Sequence, residues 1–219
     1  MGTIKKAAER SAQSQVELWQ DNHYYDEAEP YIEEQWKNLI WPIIKNLNFS
    51  HVVDLACGRG RNTTKLIPIC KKISLVDIAS NNIKFCKKRF KKESKVDYYL
   101  GSGVEIPVPD NSVSLVYCFD AMVHFPPEVV FEYLNEIKRV LIPGGAAFLH
   151  HSNWNKNSNI NFSTNPHARN HMSRNLMMYW ANSIDLKIVS SQIIDWGEGI
   201  YKATDLDCVT LLRKKICQG

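Results

Sequence analysis

The chain contains no apolar run near the ~20 residues that a membrane-spanning helix needs, and it shows no internal repeat and no internal linker. Its six cysteines, Cys57, Cys70, Cys86, Cys118, Cys208 and Cys217, form no C-x-x-C pair. That pattern argues against a disulfide framework or a zinc knuckle and fits a reducing compartment. No H-E-x-x-H motif occurs, and no metal ion is expected; a metal held by Asp120 and nearby histidines is the lesser alternative. Residues Met1 to Arg10 lack the apolar stretch of a secretory signal. Lys6 stands where a myristoylation motif requires Ser or Thr. A cytoplasmic protein without a membrane partner is the expectation. Excess charge is also scarce, at +4 net. Much of it lies in Lys87-Lys88-Arg89-Phe90-Lys91-Lys92. With no aromatic or RNP-like pattern beside it, this run reads as the solvated face of a helix rather than a nucleic-acid surface.

What is present is ordinary globular composition, 44% hydrophobic and 23% charged over 219 residues, enough for one α/β domain with a full core. Apolar strand patterns fall near residues 51–56, 73–77, 96–100, 113–118 and 145–151. Helical patterns fall near 62–71, 79–92 and 126–141, with Ser80 or Asn81 as a cap for the second and Pro126-Pro127 opening the third. This alternation predicts a parallel, doubly wound sheet. Ahead of it, residues 8–20 and Pro30 to Leu47 read as helices, the second kinked at Pro42. Residues 1–48 are therefore a helical extension or lid, and 49–219 the main domain. After it, residues 152–172 form a long asparagine-rich segment of the kind that is usually functional or disordered. Ser173 caps a further helix, and Leu186–Ile194 with Asp207–Leu212 predict a closing antiparallel hairpin.

One stretch carries chemistry. Val52-Val53-Asp54-Leu55-Ala56-Cys57-Gly58-Arg59-Gly60 runs from a strand into a glycine turn, and the next strand, Ile73-Ser74-Leu75-Val76, ends in Asp77. Glycines where the backbone approaches a ligand, followed by an acid placed for ribose hydroxyls, describe a nucleoside pocket. Thr63 occupies the third glycine position of the dinucleotide pattern. Asp54, at the strand end, has little use beside a pyrophosphate but would stabilise a cationic ligand.

The run Asp54-Leu55-Ala56-Cys57-Gly58-Arg59-Gly60 resembles motif I of class I S-adenosylmethionine (SAM) dependent methyltransferases, and Asp77 resembles their motif II acid. Tyr99-Leu100-Gly101-Ser102-Gly103 resembles motif III, with Ser102 where the family often has an acid for the adenine amine. Pro107-Val108-Pro109-Asp110 and Leu141-Ile142-Pro143-Gly144-Gly145 match two further family turns. The resemblance spans roughly residues 35–150. It implies a Rossmann-like seven-stranded α/β fold with SAM as cofactor and S-adenosylhomocysteine (SAH) as product. It also implies cofactor contacts from Asp54, Ala56, Gly58 and Gly60, from Asn62 and Thr63, from Asp77 and Ile78, and from Ser102, Gly103, Val104 and Phe119.

The acceptor is less legible. An alcohol acceptor gains from a general base, typically ~10²–10⁴-fold, so bases at the sheet edge argue for O-methylation. Asp120 and His151 follow the ends of two strands at that edge; alternation puts His150 and His151 on opposite faces, and His151 is favoured. His167 and His171 are further candidates in the long loop, where Arg169 could grip an anionic group. Tyr24, Tyr25, His124 and Asn153 complete the candidate acceptor contacts. The stretches Phe148 to Asn153, Asn165 to Arg169, Ser191 to Gly197 and Asp207-Cys208 resemble bacterial methyltransferases of surface-polysaccharide synthesis. That finer resemblance implies a sugar, sugar phosphate or nucleotide-linked sugar as the small-molecule acceptor, for a monomer or homodimer. Competing readings are an N-methyltransferase of a small amine and a non-catalytic SAM-binding partner subunit. An RNA methyltransferase is disfavoured, because no N/D-P-P-Y-type motif follows the fourth strand.

Overall fold

The computed structural model describes residues 2–14, 16, 23–155, 169–197 and 202–216. Its centre is a seven-stranded sheet with strands β1 (His51–Leu55), β2 (Lys72–Asp77), β3 (Val96–Leu100), β4 (Val113–Cys118), β5 (Leu141–Ser152), β6 (Leu186–Trp196) and β7 (Ala203–Lys214). The spatial order is β3-β2-β1-β4-β5-β7-β6. The first five strands pair in parallel, and β7 inserts antiparallel between β5 and β6. Chain order reverses between β1 and β4, the place where open α/β sheets bind ligands beyond their strand ends.

Eight α-helices surround the sheet among the described residues: α1 (Gly2–Gln13), α2 (Tyr24–Ala28), α3 (Ile32–Gln35), α4 (Trp41–Ile44), α5 (Thr63–Leu66), α6 (Ser80–Arg89), α7 (Pro127–Val140) and α8 (Arg174–Ser183). Buried strands alternate their side chains between two layers of core. Val53, Leu55, Val116, Cys118, Ala147 and Leu149 face α1, α7 and α8. Val52, Leu115, Tyr117, Ala146 and Phe148 face the segment around α4 and the helices α5 and α6. Both faces are covered, which is why these strands read as continuous apolar runs.

Local chemistry adjusts several expected elements. The helix expected over 62–71 stops as α5 at Leu66 and continues as a 3₁₀ turn, Ile67–Ile69. Pro68 has no N–H with which to prolong the α ladder. The helix expected from Pro30 to Leu47 is broken into α3, a π turn at Trp36–Ile40 and α4, with Pro42 in the first turn of α4. There the Trp41 N–H reaches the carbonyl of Trp36, a register that bypasses the donor Pro42 lacks. The first helix begins earlier than residue 8, and Trp19 lies outside the described residues. Neither Ser80 nor Asn81 caps α6; Ala79 holds that position without a side-chain cap. The Asp77 carboxylate takes the Ala79 N–H at 2.8 Å instead. Ser173 does cap α8, accepting from the Leu176 N–H at 3.1 Å, a bond of the kind typically worth ~1 kcal/mol. The closing hairpin forms as β6 and β7, longer than its sequence pattern.

Candidate active site

At the carboxyl ends of β1, β2 and β4 lies an open cleft of about 760 Å³, lined by Ala56 and Gly58 after β1, by Asp77 and Ile78 at β2, and by Gly103. Asp120, Ala121 and Phe125 close it from the β4 side, and Ala12, Tyr24 and Tyr25 from the N-terminal segment. Gly58 takes φ +55°, and a Cβ there would meet the Tyr25 ring at 2.7 Å. Glycine is required by conformation and by space at once. Ala56 also takes a left-handed φ of 56°, which an L side chain adopts at a cost of about 1–2 kcal/mol.

Asp77 is organised rather than free. One carboxylate oxygen accepts the Gly58 N–H at 2.8 Å; the other accepts Ala79 N–H and, at 3.1 Å, the Asn82 amide. Burial raises its pKa, and the backbone N–H bonds from Ala79 and Gly58 oppose that rise. The same Asn82 amide donates to the Tyr25 hydroxyl at 2.8 Å, so Tyr25 shares a partner with Asp77. Asp54, 2% exposed, accepts the Thr63 hydroxyl at 2.5 Å. Burial lifts its pKa to about 7, against the Thr63 bond. A cation placed beside this carboxyl would restore its charge.

The remaining expected cofactor residues divide. Ser102 has a buried hydroxyl with no partner among the described residues, while its carbonyl accepts from the Gln13 amide at 2.9 Å. A buried hydroxyl in that state marks a place where a ligand donor or acceptor fits. Asn62 and Phe119 line a side recess of the cleft, and the Asn62 amide oxygen accepts from Tyr117 at 2.8 Å. Gly60 serves packing: a Cβ there would meet the Phe90 ring at 2.5 Å. Thr63 and Val104 are fully buried and line no cleft.

A second cleft, about 950 Å³, opens beside the first and shares Tyr24 and Asp120 with it. Glu27, Tyr31, Gln35, Arg61, Arg169 and Trp196 line the rest. Asp120 stands at the junction with φ 61°. Its carboxylate accepts the Tyr24 hydroxyl and, at 2.7 Å, the Arg61 guanidinium. Burial and the facing Asp120 charge push the Tyr24 phenol well above the usual range, so it stays protonated and donates. Arg169 lies against Asp207 with two bonds of 2.8 Å.

The candidate bases separate clearly. His151 is fully buried on the face of Ala147 and Leu149, away from both clefts. Its Nδ1 lies 2.9 Å from the Ser152 carbonyl and its Nε2 2.9 Å from the Thr210 hydroxyl. Burial lowers its pKa to about 4. The expectation that His151 is the base is corrected: alternation separates the two histidines, but the neighbour, His150, is the one beside Asp120. His167 lies outside the described residues, and His171 lines neither cleft. His124 is buried on a 3₁₀ turn, with its carbonyl bonded by Asn170. Asn153 is used structurally: its amide donates to Asp205 and its oxygen accepts the Arg174 N–H at the start of α8. Neither reaches a cleft, so neither is an acceptor contact in this structure. Sequence reading did not place Arg61 and His150 against Asp120, or Asp207 against His150, since only folding brings them together. Among the described residues, no three His, Cys, Asp or Glu side chains converge as a metal site.

With this geometry in view, residues 53–149 match the family model of the methyltransferase domain. This stretch, less than half of the chain, is similar to a methyltransferase domain, and SAM is the cofactor that the likeness supports. An uncharacterized methyltransferase of Schizosaccharomyces pombe is 37% identical over 97 residues, 44% of this chain and 36% of that protein. A probable phthiotriol/phenolphthiotriol dimycocerosates methyltransferase of Mycobacterium ulcerans is 31% identical over 102 residues, covering 46% and 38%. The chain thus spans little more than a third of the length of these relatives. In fold, it is similar to the PH0226 protein of Pyrococcus horikoshii, with TM-score 0.65, 18% identity and coverage of 90% and 93%. It is also similar to geranyl diphosphate C-methyltransferase of Streptomyces coelicolor, with TM-score 0.63, 13% identity and coverage of 78% and 78%. The matched stretch contains the point between β1 and β4 where the strand order reverses and the first cleft opens.

Proposed function

We propose that the protein transfers a methyl group from SAM to a hydroxyl of a small polar acceptor, with a carbohydrate as the best fit. The observation that carries this reading is Asp120, whose carboxylate stands where the two clefts meet. The SAM cleft takes the cofactor between Gly58 and Gly103, with Asp77 toward the ribose hydroxyls. The buried Ser102 hydroxyl is suited to the adenine amine, and Asp54 lies beneath the cationic end. SAM, once bound, supplies an activated methyl on a sulfonium centre. The chain's own work is then alignment, which can supply up to roughly 7–11 kcal/mol, and removal of one proton. The acceptor hydroxyl takes the position of the Tyr24 hydroxyl on Asp120, and the carboxylate receives its proton. Arg61 holds that carboxylate in place. Residues 1–48 act as the lid that brings Tyr24 and Tyr25 over residues 49–219.

The acceptor class follows from the second cleft. Trp196 and Tyr31 offer flat faces, Gln35 an amide, and Glu27 a further acceptor. Its two arginines already carry carboxylate partners. The charges pair off, which favours a neutral polyhydroxyl ring over a strongly anionic group. This departs from the expectation that Arg169 grips an anionic group.

The test is SAH release against nucleotide-linked sugars, sugar phosphates, neutral sugars and small amines, with Asp120→Asn and Asp77→Ala beside the wild type. Turnover on a sugar hydroxyl is expected. Asp120→Asn should lower kcat at least ~100-fold with SAH affinity nearly kept. Asp77→Ala should weaken SAH tenfold or more, as loss of a charge-assisted bond of ~1.5–3 kcal/mol requires. Turnover on amines alone, undiminished in Asp120→Asn, would reject the O-methyl reading.

A further inference from the structure

We infer that His150 and Asp207 are positioning residues that hold Asp120 at the junction of the clefts; this rests on the reading of Asp120 as the proton acceptor. The Asp120 backbone N–H donates to His150 Nδ1 at 3.0 Å. An imidazole nitrogen that accepts a hydrogen bond carries no proton, so the His150 ring is neutral with its proton on Nε2. That nitrogen lies 3.2 Å from Asp207 Oδ2 and donates to it. Asp207 is fully buried. Burial alone would raise its pKa, but the hydrogen bonds from His150 and Arg169 and the Arg169 charge oppose that rise and keep the carboxylate ionised. The Trp196 indole N–H adds a further bond at 2.6 Å. The His150 ring packs between Phe119, stacked at 4.6 Å between centroids, and Trp196, at 5.6 Å.

These contacts form one chain. Arg169 and Trp196 fix Asp207, Asp207 fixes the His150 tautomer, and the remaining lone pair of His150 fixes the backbone of Asp120. Asp120 takes a left-handed φ of 61°, a conformation that Asp adopts more readily than most L residues, and the His150 bond to its N–H fixes it there. The carboxylate of Asp120 is aimed from the front by Arg61 and from behind, through its own amide, by His150. His150 touches neither cleft and acts only through Asp120.

Two variants separate positioning from packing. His150→Phe keeps a flat ring on Phe119 but removes the acceptor. His150→Asn places an amide oxygen near the position of Nδ1 and restores it. The readouts are ¹⁵N chemical shifts of the wild-type histidines, backbone amide exchange at Asp120, SAH affinity by calorimetry, and kcat on any acceptor that turns over. The wild-type spectrum should show His150 protonated at Nε2 alone. Asp120 amide exchange should speed up at least tenfold in His150→Phe and stay near wild type in His150→Asn. SAH affinity should remain within about threefold in both, while kcat falls roughly ten- to a hundredfold in His150→Phe and largely recovers in His150→Asn. A proton on Nδ1 in the wild type, unchanged exchange in His150→Phe, or equal loss in both variants would overturn the proposal. The wild-type SAH affinity reports separately on the methyltransferase reading, because neither the tautomer nor the exchange rate depends on turnover.

Discussion

At the residue scale, burial sets the ionisation of two groups in opposite senses. His151 has its pKa lowered to about 4 by burial, against roughly 6.5 unfolded. Below pH 6.5 the unfolded chain takes up a proton that the folded chain refuses. The neutral His151 therefore favours folding above pH 6.5, and that stability is lost as pH falls toward 4, by up to about 3 kcal/mol. Asp54, raised to about 7 by burial, works the other way. Its contribution is present below pH 4 and is lost as pH rises through 7. The two offset in the wild type, so the informative quantity is a difference. In urea unfolding at pH 7 and pH 4.5, His151→Gln should lose less stability on acidification than the wild type. Equal losses would mean that His151 is not the titrating group. The same residue shows the limit of pattern reading. Period-two alternation is visible in the sequence and separates His150 from His151. Which face meets Asp120 depends on how β4 and β5 pair, and the sequence does not carry that register.

At the element scale, the N-terminal helix is part of the site. Ala12 of α1 lines the SAM cleft, Gln13 bonds the Ser102 carbonyl, and Lys5 pairs with Glu105 at 2.6 Å. Gly103 is the contact point: it takes φ +95°, and a Cβ there would lie 2.4 Å from the Ala12 Cβ and 2.7 Å from Ile78. Gly103→Ala should therefore push α1 away and strain the turn together. The expected cost is roughly 1–3 kcal/mol in denaturant unfolding, with SAH affinity reduced at least about fivefold by calorimetry. Unaltered SAH affinity despite lost stability would mean that α1 does not shape the cofactor cleft. The existence of helices before the sheet is readable from apolar spacing. The break in the second follows from Pro42, which the sequence also displays. Their docking onto Gly103 is not readable, because small residues such as Ala12 and Gly103 signal closeness only once both surfaces are known.

At the scale of the whole molecule, the SAM cleft is bounded by the N-terminal segment, three strand ends and the turn after β4. A ligand held by so many elements links their stabilities. SAH at a hundred times its Kd should add about 2.7 kcal/mol to unfolding, raising Tm by several degrees. The shift should fall to about half or less in Asp77→Ala at the same SAH concentration. A full shift in that variant would place SAH elsewhere.

The sequence by itself determined the strand and helix alternation, the glycine turn with Asp54 and Asp77, the closing hairpin and the cofactor class. These are local: a period of two or four residues, a turn needing a positive φ, an acid at a strand end. Only the tertiary structure decided which polar groups meet. Tyr24, Arg61, Asp120, His150 and Asp207 come from five separate parts of the chain, and their hydrogen bonds exist only once β4, β5 and β7 lie side by side. Side chains far apart along the chain leave no periodic trace of contact, so hydrophobic patterning can specify the sheet while saying nothing of the network at its edge.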